Sequence, residues 1–397
     1  MLGRPLSFAL AGTVGAATLT AASAPSPLYP VYQAEWGFSS FVLTLVFAVY
    51  VFALLGSLLT VGSLSDRVGR RPVASAALVL LALGMVLFAL ADGTGWLVAA
   101  RIVQGLAVGA AAGTTTALVV DTAPSAATGA VVSSSAPLLG IAVGAVLSGA
   151  LVEHAPYPEH LVFWVLAALY VLLAALLWAI PEQRRAAPAG PLLRSLLPSL
   201  GLPRETRPVF VGHLPAMAAT WALGGLYLSL GSSVLANLLG VEDHLVVGLV
   251  LGVFFLAGVA GTVASIRLPA VTGAVLGYGT LGGGVLVTIA AVLADSLPVY
   301  LVGSVVAGLG FGGTFRAVVS DLGAAAPAAR RGEVFATMFV VSYLAFSVPA
   351  LVAGLAVDSW GLRTTVVAYA GLDVVLVVAA AGAAALRGRA RRSALRA

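Results

Sequence analysis

The sequence predicts an all-α polytopic membrane protein, with twelve transmembrane helices in two pseudo-symmetric six-helix bundles. Three observations carry this. Of 397 residues, 60% are apolar and 9% are charged, and the mean hydropathy is +1.08. Soluble domains carry roughly a quarter charged residues, so this chain cannot clothe itself in a water-facing surface. The apolar stretches recur as blocks of about 20 residues, enough to cross roughly 30 Å of hydrocarbon. The two halves also match one another weakly at several glycine and polar positions. Inside lipid every backbone polar group must be satisfied internally, which leaves helices or a closed barrel. The blocks are continuous and rich in Leu, Ala, Val and Gly rather than alternating, so they are helices.

The expected spans are 6–32, 39–61, 73–91, 96–119, 129–152 and 161–180 in the first half. Those of the second half are 208–234, 245–266, 270–293, 298–319, 333–356 and 362–386. The division is thus 1–180 for the first bundle, 181–207 for a linker, 208–386 for the second bundle and 387–397 for a basic tail. The linker carries Arg184, Arg185, Arg194, Arg204 and Arg207. All 20 basic residues are arginine, and with the N-terminus in the cytoplasm 17 of them fall in cytoplasmic loops and termini. The exceptions are Arg101, Arg316 and Arg363, while Glu35, Asp92, Glu153, Glu159 and Asp295 are among the acids outside. Both termini are therefore expected to be cytoplasmic. Arg4, the apolar run after it and Ala22-Ser23-Ala24 imitate a signal peptide. Cleavage there would leave an odd span count and spoil the symmetry.

Composition excludes several classes. With no cysteine, there is no disulfide framework, thiol nucleophile or Cys-ligated metal. His154, His160, His213 and His244 are scattered, so neither a metal site nor an intramembrane enzyme is expected, and no catalytic residue is assigned. No phosphate-cradling loop is present, which argues against ATP hydrolysis. The arginines cluster in loops and the tail, so the net charge of +5 is no nucleic-acid signal.

At an offset of 200 residues, Ser65 and Arg67 fall on Ser265 and Arg267, and Gly113, Thr114 and Asp121 on Gly313, Thr314 and Asp321. Repeats related by an axis along the membrane normal place a substrate site between the halves near the midplane.

The strongest local signal is Gly62-Ser-Leu-Ser-Asp66-Arg67-Val-Gly69-Arg70-Arg71-Pro72, between the second and third spans. Its glycines permit a tight reversal, and Asp66 lies near the incoming end of the third span, where a helix N-terminus favours an anion. A mere positive-inside anchor would need the arginines but not the ordered Gly, Asp and Gly. This segment resembles the signature loop of the major facilitator superfamily. The resemblance extends over the whole chain through span number, central loop and half repeat, and twelve-span drug:proton antiporters are the most similar members. It implies that Gly62, Asp66, Arg67, Gly69, Arg70 and Arg71 help lock the halves on the cytoplasmic side, with Asp121 as acidic partner. The second copy is degenerate: Ile266 replaces the acid and Pro269 the glycine, leaving Arg267, with Asp321 as the weaker equivalent of Asp121.

The fourth span holds Arg101-Ile-Val-Gln104-Gly105 and Gly109, similar to the family's Arg-x-x-Gln-Gly motif, whose Arg is linked to proton movement. An arginine inside a span costs about 2.5–3.5 kcal/mol on the lenient insertion scale, so Arg101 faces protein or water, or snorkels to the interface. Arg101, Gln104, Gly105 and Val108 share one helical face. In the fifth span, Pro137 and Gly140 partly match an antiporter motif in which Ala136 stands for Gly; Pro27 and Pro30 resemble a proline pair of drug exporters. Either feature is also met in ordinary proline-kinked helices.

Other candidates stay open between two readings. Arg316 binds an anionic group or pairs internally. Asp373 and His213 couple protons or support packing. Tyr29, Tyr32, Trp221, Tyr227, Phe311, Phe315, Tyr343 and Phe346 line the substrate cavity or meet lipid. The reading is a proton-coupled exporter of amphipathic compounds in the bacterial inner membrane. It would act as a monomer on a small-molecule substrate, with protons and the lipid bilayer as partners and no cofactor. Proton-coupled or facilitated uptake of a small solute is the alternative, since no acid precedes Glu35; a non-transporting sensor on the same fold is the other.

Overall fold

The structure is a computed structural model, and it describes residues 2–61, 64–181, 200–327 and 330–394. Among the described residues, twelve helices are long and apolar enough to cross a membrane. They are α1 (Arg4–Trp36), α2 (Ser40–Val61), α3 (Arg70–Ala89), α4 (Thr94–Thr122), α5 (Ala126–His154) and α6 (Leu161–Ala179). The second set is α7 (Arg207–Ser229), α8 (His244–Ser265), α9 (Ala270–Leu293), α10 (Leu297–Ala325), α11 (Arg331–Trp360) and α12 (Leu362–Ala394). Every expected span has its helix, with ends shifted by a few residues. Large apolar side chains such as Val171, Leu172 and Val378 are more than half exposed, as lipid-facing positions require.

Proline and glycine punctuate the helices. In α1 the helix stops at Ser23, passes through a 3-10 turn at Ser26–Leu28 and resumes at Tyr29–Trp36, because Pro25 and Pro27 lack the N–H that would continue the ladder. The α2–α3 connection contains one helical turn, Ser65–Val68, and then Gly69 at φ 105° and ψ 153°, where a side chain would be strained.

The chain divides into two compact units: Met1–Pro198 with Val241–Gly252, and Ser199–Gly240 with Val253–Ala397. The first residues of α8 group with the first unit because they meet α5. A Cβ on Gly248 would overlap the Ala145 carbonyl, and Glu153 accepts from the His244 backbone at 2.9 Å. In the first unit α2 and α3 pack on α4, α1 on α5 and α3 on α6; in the second α9 packs on α10 and α12, and α7 on α11 and α12. The expected linker falls outside the described residues from 182 to 199. The helix of α12 continues through the start of the expected basic tail, as far as Ala394. Alanine and arginine are strong helix formers, so the helix outlasts its apolar span.

The glycine contacts correct the repeat. A Cβ on Gly105 would overlap the Tyr50 carbonyl and lie 2.8 Å from Ala53; on Gly308 it would overlap the Phe254 carbonyl and lie 2.8 Å from Ala257. Gly109 and Gly312 meet the Leu54 and Gly258 carbonyls in the same way. These pairs, like the ends of α4 and α10, are offset by 203 residues, not 200. Asp121 therefore corresponds to Ala324, and Asp321 lies nearly one turn deeper. Close backbone contact sets the register, and the matches at 200 were matches of composition.

Candidate translocation site

The signature loop is built around arginines that engage the ends of neighbouring helices of the same unit. Arg70, at the start of α3, pairs with the Asp121 carboxylate and donates to the Ala117 carbonyl at 2.6 Å; the pair is 14% and 13% exposed. Arg71 donates to the Trp178 and Ile180 carbonyls at 3.1 and 2.9 Å and lies over the Trp178 ring. Arg4 donates to the Ala123 carbonyl at 2.7 Å. Helix C-termini expose unpaired carbonyls and partial negative charge, so arginine collects at the end of the unit where α4 and α6 finish. Asp66 sits in the single turn before Gly69, but its side chain lies outside the described part, as does Gly62. The arginine expected to join Asp121 is thus Arg70; Arg67 lies in the same turn.

Deeper in that unit, Arg101 and Gln104 on α4 meet the break in α1. Pro25 has no N–H, so the Ala21 carbonyl has no helical donor; Gln104 Nε2 donates to it instead. Arg101 donates to the Ala22 carbonyl at 3.2 Å, to Gln104 Oε1 at 2.7 Å and, from Nε, to the Tyr29 hydroxyl at 3.0 Å. Its guanidinium lies 5.6 Å from the Tyr29 ring centre, 5.3 Å from Tyr50 and 5.7 Å from Phe88. Arg101, Gln104 and Tyr29 are all fully buried. Arg101 therefore does not snorkel, and each of these partners is neutral. A charge in such a place is held by dipoles and ring faces. Gly140 and Gly144 let α5 close against α1, and Ser23 donates to the Ile141 carbonyl at 2.7 Å beside Pro137.

The second unit carries an aromatic wall. Trp221 on α7 is met edge-on by Phe315 at 5.6 Å, Phe339 at 6.4 Å, Tyr343 at 4.7 Å and Phe346 at 5.8 Å. Phe311 and Phe346 close over Gly224, one turn along α7. Trp221, Phe315, Phe339 and Tyr343 are partly exposed, and the Trp221 indole N–H has no acceptor among the described residues. Phe339 was not singled out from sequence; its spacing of four before Tyr343 on one helix was the available signal.

The family model of the Major Facilitator Superfamily matches residues 11–348. The chain belongs to that superfamily. It is accordingly a multi-pass secondary transporter and not an enzyme. Curated relatives include the multidrug resistance protein MdtL of Escherichia coli O6:K15:H31 (strain 536 / UPEC), 28% identical over 165 residues. The same protein of strain ED1a is 29% identical over 165 residues. In each case the match spans 41% of both chains, so this chain covers about two fifths of the length of those relatives. A bacterial homolog of the human lysosomal transporter Spinster, inward-facing and unoccupied, superposes with TM-score 0.76 at 17% identity over 96% of both chains. Its occupied inward-facing form gives TM-score 0.71 at 15% identity over 96% of this chain and 97% of that one. Those likenesses carry the fold of the superfamily.

Several expected members of the superfamily's substrate cavity lie elsewhere. Tyr32 is buried, stacks on Trp36 at 4.6 Å and donates to the Glu159 carbonyl. Tyr227 is buried, stacks on Phe254 at 4.1 Å and is bonded to Ser304 at 2.7 Å. Both are enclosed by their own unit and offer a ligand no surface. Arg316 donates to the Ser265 carbonyl at 3.3 Å, which caps the last turn of α8 and favours internal pairing. Arg267 is exposed. His213 on α7 is 3.0 Å from the Asp321 carboxylate, so two candidates given separate roles share one bond. Asp373 is buried on α12, and neither oxygen is hydrogen-bonded among the described residues.

Proposed function

We propose that this transporter exports amphipathic organic compounds in exchange for protons, by alternating access, from a bacterial cytoplasmic membrane with both termini inside, and acts as a monomer. The observation that carries it is the wall of Trp221, Phe315, Phe339, Tyr343 and Phe346 with its one unused indole N–H. Flat apolar compounds stack on such faces. A selective sugar or amino-acid site would need several convergent polar groups. The relatives named multidrug resistance protein MdtL support drug-like compounds as the substrate class. The buried Arg101 and Gln104 tie α4 to the proline break of α1, so a rearrangement of that break reaches a charged group. We assign Arg101 a positioning role in coupling.

The test is dye transport in everted vesicles, with ethidium as probe and an imposed pH gradient. An acidic interior should drive ethidium inward together with proton release, and Trp221→Ala should raise its apparent KM several-fold. Arg101→Ala should weaken the dependence on the gradient more than the flux at zero gradient. Flux indifferent to the gradient would remove proton coupling, and ethidium uptake by intact cells would reverse the direction.

A further inference from the structure

We propose that Asp373 is the proton-binding group of the second unit, and that the structure holds it as the neutral acid. The proposal rests on the proton-coupled reading above and places the proton where that reading left it unplaced.

The buried stripe of α12 runs through Val366, Tyr369, Ala370, Asp373, Val377 and Ala380, all at most 6% exposed, with helical spacing of three and four. Asp373 is the one acid on it. It stands eleven residues from the start of α12, about 17 Å along the axis at 1.5 Å per residue, roughly half of a 30 Å hydrocarbon core. It is 1% exposed, and neither carboxyl oxygen has a hydrogen-bond partner among the described residues.

The neighbours offer no counter-charge. On one side Tyr369, whose hydroxyl sits close enough to feel the carboxyl, gives its hydrogen to the Ala222 carbonyl of α7 at 2.8 Å. On the other, Val377 packs over Gly282 of α9. The titratable groups of the packed helices are occupied elsewhere: His213 with Asp321, Tyr227 with Ser304, Tyr278 with Arg387, and Glu333 with Arg330. Tyr343 of α11 belongs to the aromatic wall. An unpaired carboxylate in an apolar interior is far costlier than a carboxylic acid, which needs only modest desolvation.

A path for the proton lies one turn away. Between α7, α9 and α12 is a crevice lined by Leu223, Leu226, Val285, Thr288, Tyr300 and Ala370, and Ala370 precedes Asp373 by three residues on the same face. Its free volume, about 10 Å³, approaches that of one water. The step is one proton taken up by the carboxylate from hydronium, which leaves as water, and given back to water when transport exposes the group.

Two measurements test this. Dicyclohexylcarbodiimide reacts with protonated carboxyls in apolar surroundings, so mass spectrometry of the purified full chain in lipid should find its adduct at Asp373, declining as pH rises. In proteoliposomes with ethidium, Asp373→Asn should lose proton counterflow while still exchanging dye, and Asp373→Glu should recover it; size-exclusion profiles confirm folding. An unlabelled Asp373, or wild-type proton counterflow in Asp373→Asn, overturns the assignment with proton coupling intact. A wild-type protein that moves dye but no protons overturns the assignment and the underlying reading together. Labelling at Asp373 would then mark a structural acid.

Discussion

His213 Nε2 lies 3.0 Å from Asp321 Oδ2, joining a histidine 3% exposed on α7 to a carboxylate 54% exposed on α10. The other ring nitrogen, Nδ1, is buried with no hydrogen-bond partner among the described residues, so this bond fixes the ring. Asp321→Ala should leave both nitrogens unmatched and cost about 1–3 kcal/mol, whereas Asp321→Asn, which keeps an acceptor oxygen, should cost less. Thermal unfolding followed by tryptophan fluorescence reads this in a chain without cysteines. Equal midpoints for the Ala variant and wild type would mean that the bond contributes nothing.

The α2–α4 crossing depends on two glycines. Gly105→Ala or Gly109→Ala forces a methyl into the Tyr50 or Leu54 carbonyl, and overpacking of this kind costs about 1–3 kcal/mol or more. Gly56 on α2 has open space around it, so Gly56→Ala should leave the midpoint unchanged or raise it. Monodisperse yield and unfolding temperature should separate the two classes. A stable Gly105→Ala protein would show that the helices shift apart without loss.

Arg70 and Asp121 form a mostly buried pair within the first unit. Removing one partner strands the other, so Asp121→Ala should cost about 3 kcal/mol. The double variant with Arg70→Ala should cost less than the sum of the singles. Additive losses would place the value of each residue in other contacts, such as the Ala117 carbonyl.

Glu159 predicts a pH dependence. Burial first, then the neighbouring Glu35 carboxylate and a hydrogen bond with it, raise the Glu159 pKa above the ordinary carboxylate value. A folded-state pKa above the unfolded one means the folded protein binds the extra proton. This stabilisation is complete below the unfolded value and is lost as pH rises through the raised one. The group is only half-buried, so solvent screening keeps the effect small. Glu159→Gln should flatten the decline in unfolding temperature just above the ordinary carboxylate range. An unchanged slope would assign that decline to other acids.

Much of the architecture was legible in the chain. Apolar runs of bilayer length located all twelve helices, and Pro27 and Pro30 pointed to a kink in α1, whose break the structure places at Pro25 and Pro27. Gly69 and the arginines marked the signature turn, and Asp121, expected beside it, lies against Arg70. The candidate site was legible in composition more than in arrangement. Trp221, Phe315, Tyr343 and Phe346 were all candidates, yet so were Tyr32 and Tyr227, because an aromatic side chain reads the same whether it lines a wall or fills a core. The half repeat was found at the wrong register, since Gly- and Ala-rich helices match almost as well one turn away.

By itself the sequence determined a protein of twelve membrane spans, because hydrocarbon thickness and backbone satisfaction act on each segment separately. Only the tertiary structure decided that Gln104 fills the carbonyl released by Pro25, that Arg70 pairs with Asp121, and that Asp373 has no hydrogen-bond partner among the described residues. Each of those facts is a relation between segments far apart in the chain. The hydrogen bonds and close contacts involved depend on distances that no local run of residues encodes.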